Sequence, residues 1–228
     1  RVLSCEYTPG GKGLNVSKPA AIAGADVVAT GLVGGFAGKY IETELKKYRI
    51  KGRFYHVEGE SRSCINIWDE KKRKQTEFLE PGFVITKEIF EDFIRYFKEL
   101  SEQADVVVMS GSIPQGVETD AYQILVKEVK NQGKKVILDT SGELLKKGIK
   151  AKPSMIKPNM DEIRMLTGRD CATKQELIEA AVWLYRQGIE TVVISMGKEG
   201  ALMVCERGVY QAKVPEIDAV NTVGCGDS

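Results

Sequence analysis

Residues 104–138, ADVVVMSGSIPQGVETDAYQILVKEVKNQGKKVIL, decide the fold because they hold two strand signals with one helix signal between them. The apolar run at 104–109 predicts a strand, and the amphipathic stretch at 120–131 predicts a helix that ends before Gly133. The second apolar run, 135–138, predicts the next strand. A strand, a helix and a strand in this order are typical of a βαβ unit, so we expect parallel strands.

The same alternation extends in both directions along the chain. Helix patterns cover residues 40–48, 87–103 and 174–186, and strand patterns cover 27–33, 154–156, 191–195, 201–205 and 209–212. We expect the strand at 27–33 to be buried, because it is almost entirely apolar. Together these patterns predict an α/β protein with a mainly parallel central sheet.

Residues 52–80 break the alternation, because they are strand-like without a helix. Residues 64–68, CINIW, alternate in polarity, a charged turn follows at 69–74, and residues 76–78 form the returning strand. This is the pattern of an antiparallel hairpin. We expect it to form a small sheet beside the main one, where it would act as a lid.

The composition excludes several function classes. The chain has 228 residues, with 33 Lys and Arg against 32 Asp and Glu, so no basic surface for nucleic acid is expected. No apolar stretch approaches the roughly 18 residues of a membrane helix, so we expect no membrane partner. The five scattered cysteines indicate reduced thiols in a cytoplasmic protein, and the single histidine, His56, argues against a multi-histidine metal centre.

The first glycine cluster, PGGKGLNV at residues 9–16, precedes a helix-like segment. Its glycines let a ligand approach the backbone, and the N-terminus of a helix offers free N–H groups to an anion. It is not a P-loop, because Glu6 stands where that motif needs glycine and Gly13 replaces its Ser or Thr. Residues 31–38, GLVGGFAG, do not fit the dinucleotide fingerprint in any register, which argues against a nicotinamide-dependent oxidoreductase.

The last glycine cluster is NTVGCGD at residues 221–227. Gly224 and Gly226 flank one small residue, a pattern that turns successive N–H groups into an anion-binding concavity. A carboxylate directly after it, Asp227, suits a base that takes the proton from a hydroxyl attacking a phosphate. The same residues are also compatible with a plain turn capped by the aspartate.

Two further motifs follow predicted strands: SGSIP at 110–114 and KPNMDE at 157–162. The carboxyl ends of parallel strands are where α/β sheets bind ligands. Asn159 and Glu162 lie one helical turn apart, so both are able to face one Mg²⁺ through water. The alternative is a solvated first helical turn whose acidic residues favour the helix dipole.

The motifs GGKGLNVS, SGSIP, KPNMDE, SMGKEGA and NTVGCGDS, taken in this order, resemble the ribokinase/PfkB family of carbohydrate kinases. Three features are similar to those of the phosphosugar branch of that family: the first motif, Arg62 at the start of a lid strand, and SGSIP. The resemblance implies a three-layer α/β/α sandwich with a mainly parallel central sheet and a small β-sheet lid. We expect a single ribokinase-like kinase domain over 1–228, with a lid from about 1–8 and 52–80. The family's first strand and its last helices are expected to lie outside this chain.

The resemblance also implies where the sugar and the catalytic groups lie. Asp227 would be the base on the sugar hydroxyl, and the N–H groups of Gly224, Cys225 and Gly226 would form the anion hole. The family usually has Ala at the position of Cys225, but only its backbone is needed. Sugar hydroxyls would be held by Gly10, Gly11 and Asn15, and the phosphate already on the substrate by Lys12, Arg62, Ser110, Gly111 and Ser112.

For the nucleotide, the resemblance implies a site after the later strands. ATP would be held by Lys157, Asn159, Ser195, Gly197, Gly200 and Thr222. Mg²⁺ would be organised by Glu162, with Asn159 contributing through water. Pro19, where a helix continues after the first motif, is expected to fit only within the first helical turn.

The sequence therefore predicts a cytoplasmic, ATP- and Mg²⁺-dependent kinase of a ketohexose phosphate, with fructose 1-phosphate giving fructose 1,6-bisphosphate as the leading reaction. Tagatose 6-phosphate and fructose 6-phosphate are the alternative substrates within the same family. A sugar-phosphate sensor without catalysis is the alternative outside the enzymes. A homodimer through the lid is a further expectation from the family.

Overall fold

The computed structural model describes residues 2–214, which divide into two compact units. The first contains the described residues up to Tyr96 together with Ile113–Val117. The second contains Phe97–Ser112 and the described residues from Glu118 onwards. No helix among the described residues is long and apolar enough to cross a membrane.

The first unit holds short strands and two complete helices. Its elements are α1 (Lys12–Ile22), β1 (Val28–Ala29), β2 (Leu32–Val33), α2 (Gly35–Leu45), a 3-10 turn (Lys46–Tyr48), β3 (Lys51–Gly52), β4 (Tyr55–His56), β5 (Cys64–Asp69), β6 (Lys74–Leu79) and the start of α3 (Lys87–Ser101). A small core of Ala29, Leu45 and Ile50 lies between α1, α2 and the strands. No helix or strand is assigned to residues 2–8.

The predicted strand at 27–33 is interrupted at Gly31, and the prediction that it is buried is wrong at Val28, which is 44% exposed. Its pairing is nevertheless continuous. The carbonyls of residues 27, 29, 31 and 33 accept hydrogen bonds from the N–H groups of residues 51, 53, 55 and 57, all 2.9–3.0 Å long. One parallel ladder therefore spans both short strands, with Ala29 and Val33 facing the core.

The predicted hairpin is confirmed. β5 and β6 pair antiparallel, from Cys64 opposite Leu79 to Asp69 opposite Lys74. Asp69 closes the charged turn, because its Oδ1 accepts from the N–H groups of Lys71 and Lys72 at 3.0 Å. Nearly every residue of the two strands is exposed, so the hairpin has no core of its own.

The second unit is built on one six-stranded sheet, in the order β12-β11-β10-β9-β8-β7. Its elements are the end of α3, β7 (Val106–Ser110), α4 (Ala121–Asn131), β8 (Lys135–Asp139), α5 (Gly142–Gly148), a 3-10 turn (Ile149–Ala151), β9 (Met155–Ile156), α6 (Met160–Thr167), α7 (Lys174–Arg186), β10 (Thr191–Ser195), a 3-10 turn (Gly197–Glu199), β11 (Ala201–Cys205) and β12 (Gly208–Ala212). β7 to β10 are parallel, and β10 to β12 are antiparallel. The α/β prediction is confirmed.

Amphipathic patterns explain how the helices cover this sheet. α4 buries Leu125, Val126 and Val129 and packs on β8. α7 packs on β10 and β11, with Leu177 and Leu184 buried among small alanines. In β10 and β11 buried and partly exposed residues alternate, so these two strands present one apolar face to α7.

The helices and strands predicted at 87–103, 120–131, 174–186 and 191–212 are confirmed to within a few residues at each end. The expectation for Pro19 is wrong, because this residue lies in the body of α1 and not in its first turn. Proline has no N–H to donate to the carbonyl four residues earlier, here that of Asn15.

The packing of α5 on β8 is tested by substituting Gly148. A Cβ there would lie 2.5 Å from Cδ2 of Leu138, so Gly148→Ala is expected to destabilise the protein by about 1–3 kcal/mol. Leu138→Val removes that carbon and should reduce the cost of Gly148→Ala. Urea unfolding of both single variants and the double variant measures this coupling. Equal costs of Gly148→Ala in the two backgrounds would show that the close approach does not exist.

Candidate active site

The first motif forms the N-terminal end of α1. Gly11 is the residue before the helix, at φ 104°, and the N–H of Asn15 donates to its carbonyl at 3.0 Å. The loop before the helix is held by Lys18, whose Nζ donates to the Pro9 carbonyl at 2.9 Å. Partial burial lowers the pKa of Lys18. Gly10, Gly11, Lys12 and Asn15 are therefore presented together on one anchored turn.

Arg62 lies in the same unit, at the base of the hairpin. It lines a cavity of about 330 Å³ formed by residues 59–62 and 80–83. Its side chain passes beside Gly82, where an added Cβ would lie 3.4 Å from the Arg62 Cβ. Arg62 lies two residues before β5, which begins at Cys64.

In the second unit, the Ser110–Ser112 turn is tied to the end of the neighbouring strand. The N–H of Gly111 and the hydroxyl of Ser110 both donate to the Asp139 carbonyl, at 3.0 and 3.3 Å. The Gly111 carbonyl accepts from the hydroxyls of Tyr122 at 3.2 Å and Thr140 at 2.7 Å. Burial, and to a smaller extent the Asp139 carboxylate, raises the pKa of Tyr122, so its hydroxyl stays a donor.

The Asp139 side chain continues this network to Lys157. The Lys157 Nζ is 3.3 Å from Oδ2 of Asp139, which is only 4% exposed. A buried carboxylate is stable only when it is paired, so Asp139 fixes the ammonium group at the end of β9. Asp139, Tyr122 and Thr140 were not predicted from the sequence. A carboxylate at the carboxyl end of a parallel strand was the signal that would have identified Asp139.

Asn159 and Glu162 form a capping box at the start of α6. The Asn159 Oδ1 accepts from the N–H groups of Asp161 and Glu162, both at 2.9 Å. In return, Oε2 of Glu162 accepts from the Asn159 N–H at 2.8 Å. These contacts therefore show the alternative to a Mg²⁺ site: a first helical turn that its own acidic residues stabilise.

These residues still fit a magnesium ion held mainly by phosphates and water. A carboxylate has two oxygens, and the cap contacts describe only Oε2 of Glu162. Among residues 2–214 no group of three or more His, Cys, Asp or Glu side chains is arranged to hold a metal. Mg²⁺ commonly binds kinases through one or two carboxylates, substrate phosphates and water, so a protein cage is not needed.

The predicted nucleotide loop lies beside Asn159. The Ser195 N–H donates to the Pro158 carbonyl at 3.0 Å, so the end of β10 runs parallel to Asn159. The loop is closed by the Met196 N–H, which donates to the Gly200 carbonyl at 2.8 Å. Gly200 has φ 93°, and a Cβ there would overlap the Ala212 carbonyl, so only glycine fits.

The structure thus brings the predicted residues together within each unit. In the first unit it presents Gly10, Gly11, Lys12 and Asn15 on one turn, and Arg62 at the hairpin base. In the second it connects Ser110–Ser112 to Lys157 and places Asn159, Glu162 and Ser195 side by side. The assignments of Thr222, Gly224, Cys225, Gly226 and Asp227 lie outside the described residues.

The carboxyl ends of neighbouring parallel strands here carry hydroxyls, an ammonium group and an amide. This arrangement is typical of an α/β enzyme that binds an anionic ligand. The model of the pfkB family of carbohydrate kinases matches residues 1–228. The chain belongs to this family and is a phosphotransferase with an alcohol acceptor. The resemblance described in the sequence analysis is confirmed.

The relatives agree with this assignment. A tagatose-6-phosphate kinase of Staphylococcus epidermidis is 40% identical over 231 residues, which span 100% of this chain and 74% of that protein. The structure of phosphofructokinase-2 from Escherichia coli, in complex with potassium, is 27% identical with a TM-score of 0.91, covering 100% of this chain and 74% of its own. A possible 1-phosphofructokinase from Thermotoga maritima is 31% identical with a TM-score of 0.85, covering 100% and 76%. The ribokinase-like fold is therefore confirmed.

The capping box is tested by comparing two substitutions of Asn159. Asn159→Ala removes the acceptor of two N–H groups and is expected to destabilise the protein by about 1 kcal/mol, whereas Asn159→Ser keeps an acceptor and should cost much less. Urea unfolding measures both, with Asn131→Ala at the exposed end of α4 as the control. Equal losses for Ala and Ser would contradict the cap.

Proposed function

We propose that this protein transfers the γ-phosphoryl group of ATP to a hydroxyl of a ketohexose phosphate. The observation that carries the proposal is the carboxyl edge of the parallel strands. There Ser110 ends β7, Asp139 ends β8, Lys157 follows β9 and Ser195 ends β10. An ammonium group and hydroxyls held at such an edge suit phosphate groups, which carry strongly negative oxygens.

The acceptor sugar is proposed to be held by the residues that the family resemblance assigns to it. Gly10 and Gly11, just before α1, and Asn15, in its first turns, hold the sugar hydroxyls. Its existing phosphate is met by Lys12 and Arg62 and by the Ser110–Ser112 turn, which offers hydroxyls and an N–H. Because the chain as a whole carries a formal charge of only +1, binding of the sugar phosphate depends on individual Lys and Arg side chains at the site.

The nucleotide is proposed to lie against the second unit. Lys157 and Asn159 face its phosphates, Ser195, Gly197 and Gly200 shape the loop around it, and Thr222 contributes from the last motif. Glu162, with Asn159 through water, would hold Mg²⁺, which neutralises charge on the phosphates when it is bound. The Asp139 carboxylate keeps the Lys157 ammonium in place before ATP arrives.

The chemical step is assigned to the last motif. A sugar hydroxyl attacks the γ-phosphorus while the bond to the bridging oxygen of ADP breaks, and Asp227 takes the proton of that hydroxyl. The N–H groups of Gly224, Cys225 and Gly226 receive the negative charge that spreads over the transferred group. Closure of a lid formed by the β5–β6 hairpin would exclude water and so limit ATP hydrolysis.

The relatives and the motifs together support a ketohexose phosphate as the acceptor. Fructose 1-phosphate is the leading candidate, with tagatose 6-phosphate and fructose 6-phosphate as the alternatives. The relative at 40% identity is a tagatose-6-phosphate kinase, and one structural relative is phosphofructokinase-2. All three candidates are ketohexoses that already carry one phosphate. We further propose a cytoplasmic location and a homodimer through the lid, whose hairpin exposes Ile65, Ile67 and Phe78.

Turnover decides the substrate. A coupled assay of ADP release is expected to give the highest kcat/KM with one of fructose 1-phosphate, tagatose 6-phosphate and fructose 6-phosphate, and far less with unphosphorylated fructose. The reason is that Lys12 and Arg62 are assigned to the existing phosphate. Calorimetric binding of a sugar phosphate without any ADP release would instead indicate a sensor on a kinase fold.

The base assignment is tested by Asp227→Asn. This change keeps the size of the side chain but removes its ability to take a proton, so kcat is expected to fall by roughly 10²–10⁴-fold. The dissociation constant of the sugar phosphate, measured by calorimetry, should change little. Near-normal kcat would refute Asp227 as the base.

A further inference from the structure

The turn that carries Arg62 is clamped to the start of α2. Oε1 of Glu60 accepts from the Ala37 N–H at 2.6 Å, and Oε2 accepts from the Phe36 N–H at 3.1 Å. The next residue, Ser61, adds two contacts with Gly34: its hydroxyl accepts from the Gly34 N–H, and its own N–H donates to the Gly34 carbonyl, both at 3.0 Å. Ser61 is buried, at 7% exposure.

This clamp replaces an ordinary helix cap. The first N–H groups of a helix have no partner within the helix and are usually satisfied by a nearby Ser, Thr, Asp or Asn. At α2 the capping position is Gly34, which has no side chain, so the carboxylate comes from Glu60, which lies 24 and 23 positions after the donors Phe36 and Ala37. A negative charge is favourable there because the N-terminus of a helix carries partial positive charge.

Close backbone contact makes the clamp specific. A Cβ at Gly34 would lie 2.5 Å from the Gly59 carbonyl oxygen and 2.7 Å from that of Val57. A Cβ at Gly35 would overlap the Glu60 carboxylate. The two glycines therefore allow the turn at 57–61 to seat directly on the helix, at a separation that side chains would not permit.

Arg62 is held on its other side as well. The N–H of Ser63 donates to Oε2 of Glu80 at 2.8 Å, and Gly82 lies against the Arg62 side chain. Glu60, Glu80 and Arg62 line the same cavity. The backbone of Arg62 is thus fixed between two anchored residues, Ser61 and Ser63. The hairpin that follows has no core of its own.

We propose that Glu60 and Ser61 are positioning residues that fix Arg62 for the phosphate already on the sugar. This inference rests on the proposed function, because it assumes that Arg62 meets that phosphate. Both carboxylate oxygens of Glu60 already accept from N–H groups of α2, and the Ser61 hydroxyl accepts from the Gly34 N–H. Glu60 and Ser61 act through Arg62, by keeping the base of the hairpin in place whatever the position of the hairpin itself.

A double-mutant cycle tests the proposal on the full chain. Glu60→Ala is expected to raise KM for the sugar phosphate about tenfold, with KM for ATP changed less than about twofold. In an Arg62→Ala background the same change should raise KM for the sugar phosphate by less than about twofold, because its route of action is already lost. Glu60→Gln, which keeps an acceptor oxygen, should recover part of the affinity.

Two controls separate positioning from general damage. Glu58→Gln, two residues earlier and exposed, should leave both KM values unchanged. Amide hydrogen exchange at Phe36 and Ala37 should become faster in Glu60→Ala but not in Glu58→Gln, since only Glu60 accepts from those groups.

The outcomes are distinct. Equal effects of Glu60→Ala with and without Arg62, or a rise in KM for both substrates, would overturn the positioning role and leave a purely structural cap. If the wild type turns over none of the three sugar phosphates, the proposed function fails, and the cycle is then measured as calorimetric binding of the same sugars. A wild type that binds none of them overturns both proposals.

Discussion

The contact on which the candidate site most depends is the buried pair between Asp139 and Lys157. Removing the lysine would leave the buried Asp139 carboxylate without its partner, and an unpaired buried charge typically costs about 3–5 kcal/mol. The main chain of Asp139 also accepts from Ser110 and Gly111. One residue at the end of β8 therefore couples the turn after β7 to the lysine after β9, and the parallel register of the three strands makes this possible.

Charged side chains are held in place by different means in the two units. In the second unit, the sheet and its covering helices fix the ends of the strands, so Lys157 and Asn159 start from a rigid base. In the first, the exposed hairpin lacks buried apolar contacts and belongs to the kind of segment that opens at low free-energy cost. Its base must then be anchored separately, which is what the contacts of Glu60, Ser61 and Glu80 accomplish.

Much of the fold was predictable because its signals are local. The periodicity at 174–186 predicts α7 to the residue, and the charged turn between alternating runs predicts the β5–β6 hairpin. The prediction was weaker at 27–33, where Gly31 interrupts the strand and the partner residues 51–57 decide which positions are exposed. Pro19 was misjudged because proline's cost in a helix is local, whereas the stability that offsets it comes from packing.

By itself, the sequence determined the order of elements, the motif residues and the class of chemistry, because helix periodicity, strand alternation and glycine turns are encoded by near neighbours. Which of those residues are fixed in place, and by which hydrogen-bond or ion-pair partners, was decided only by the tertiary structure. Asp139 meets Lys157, and Glu60 meets the start of α2, through contacts 18 and 23–24 residues apart. The local sequence pattern does not indicate such partners, because strand register and the close packing of backbone segments bring them together. Asn159 and Glu162 show the same division: their spacing was visible in the sequence, but the capping box appeared only in the folded chain.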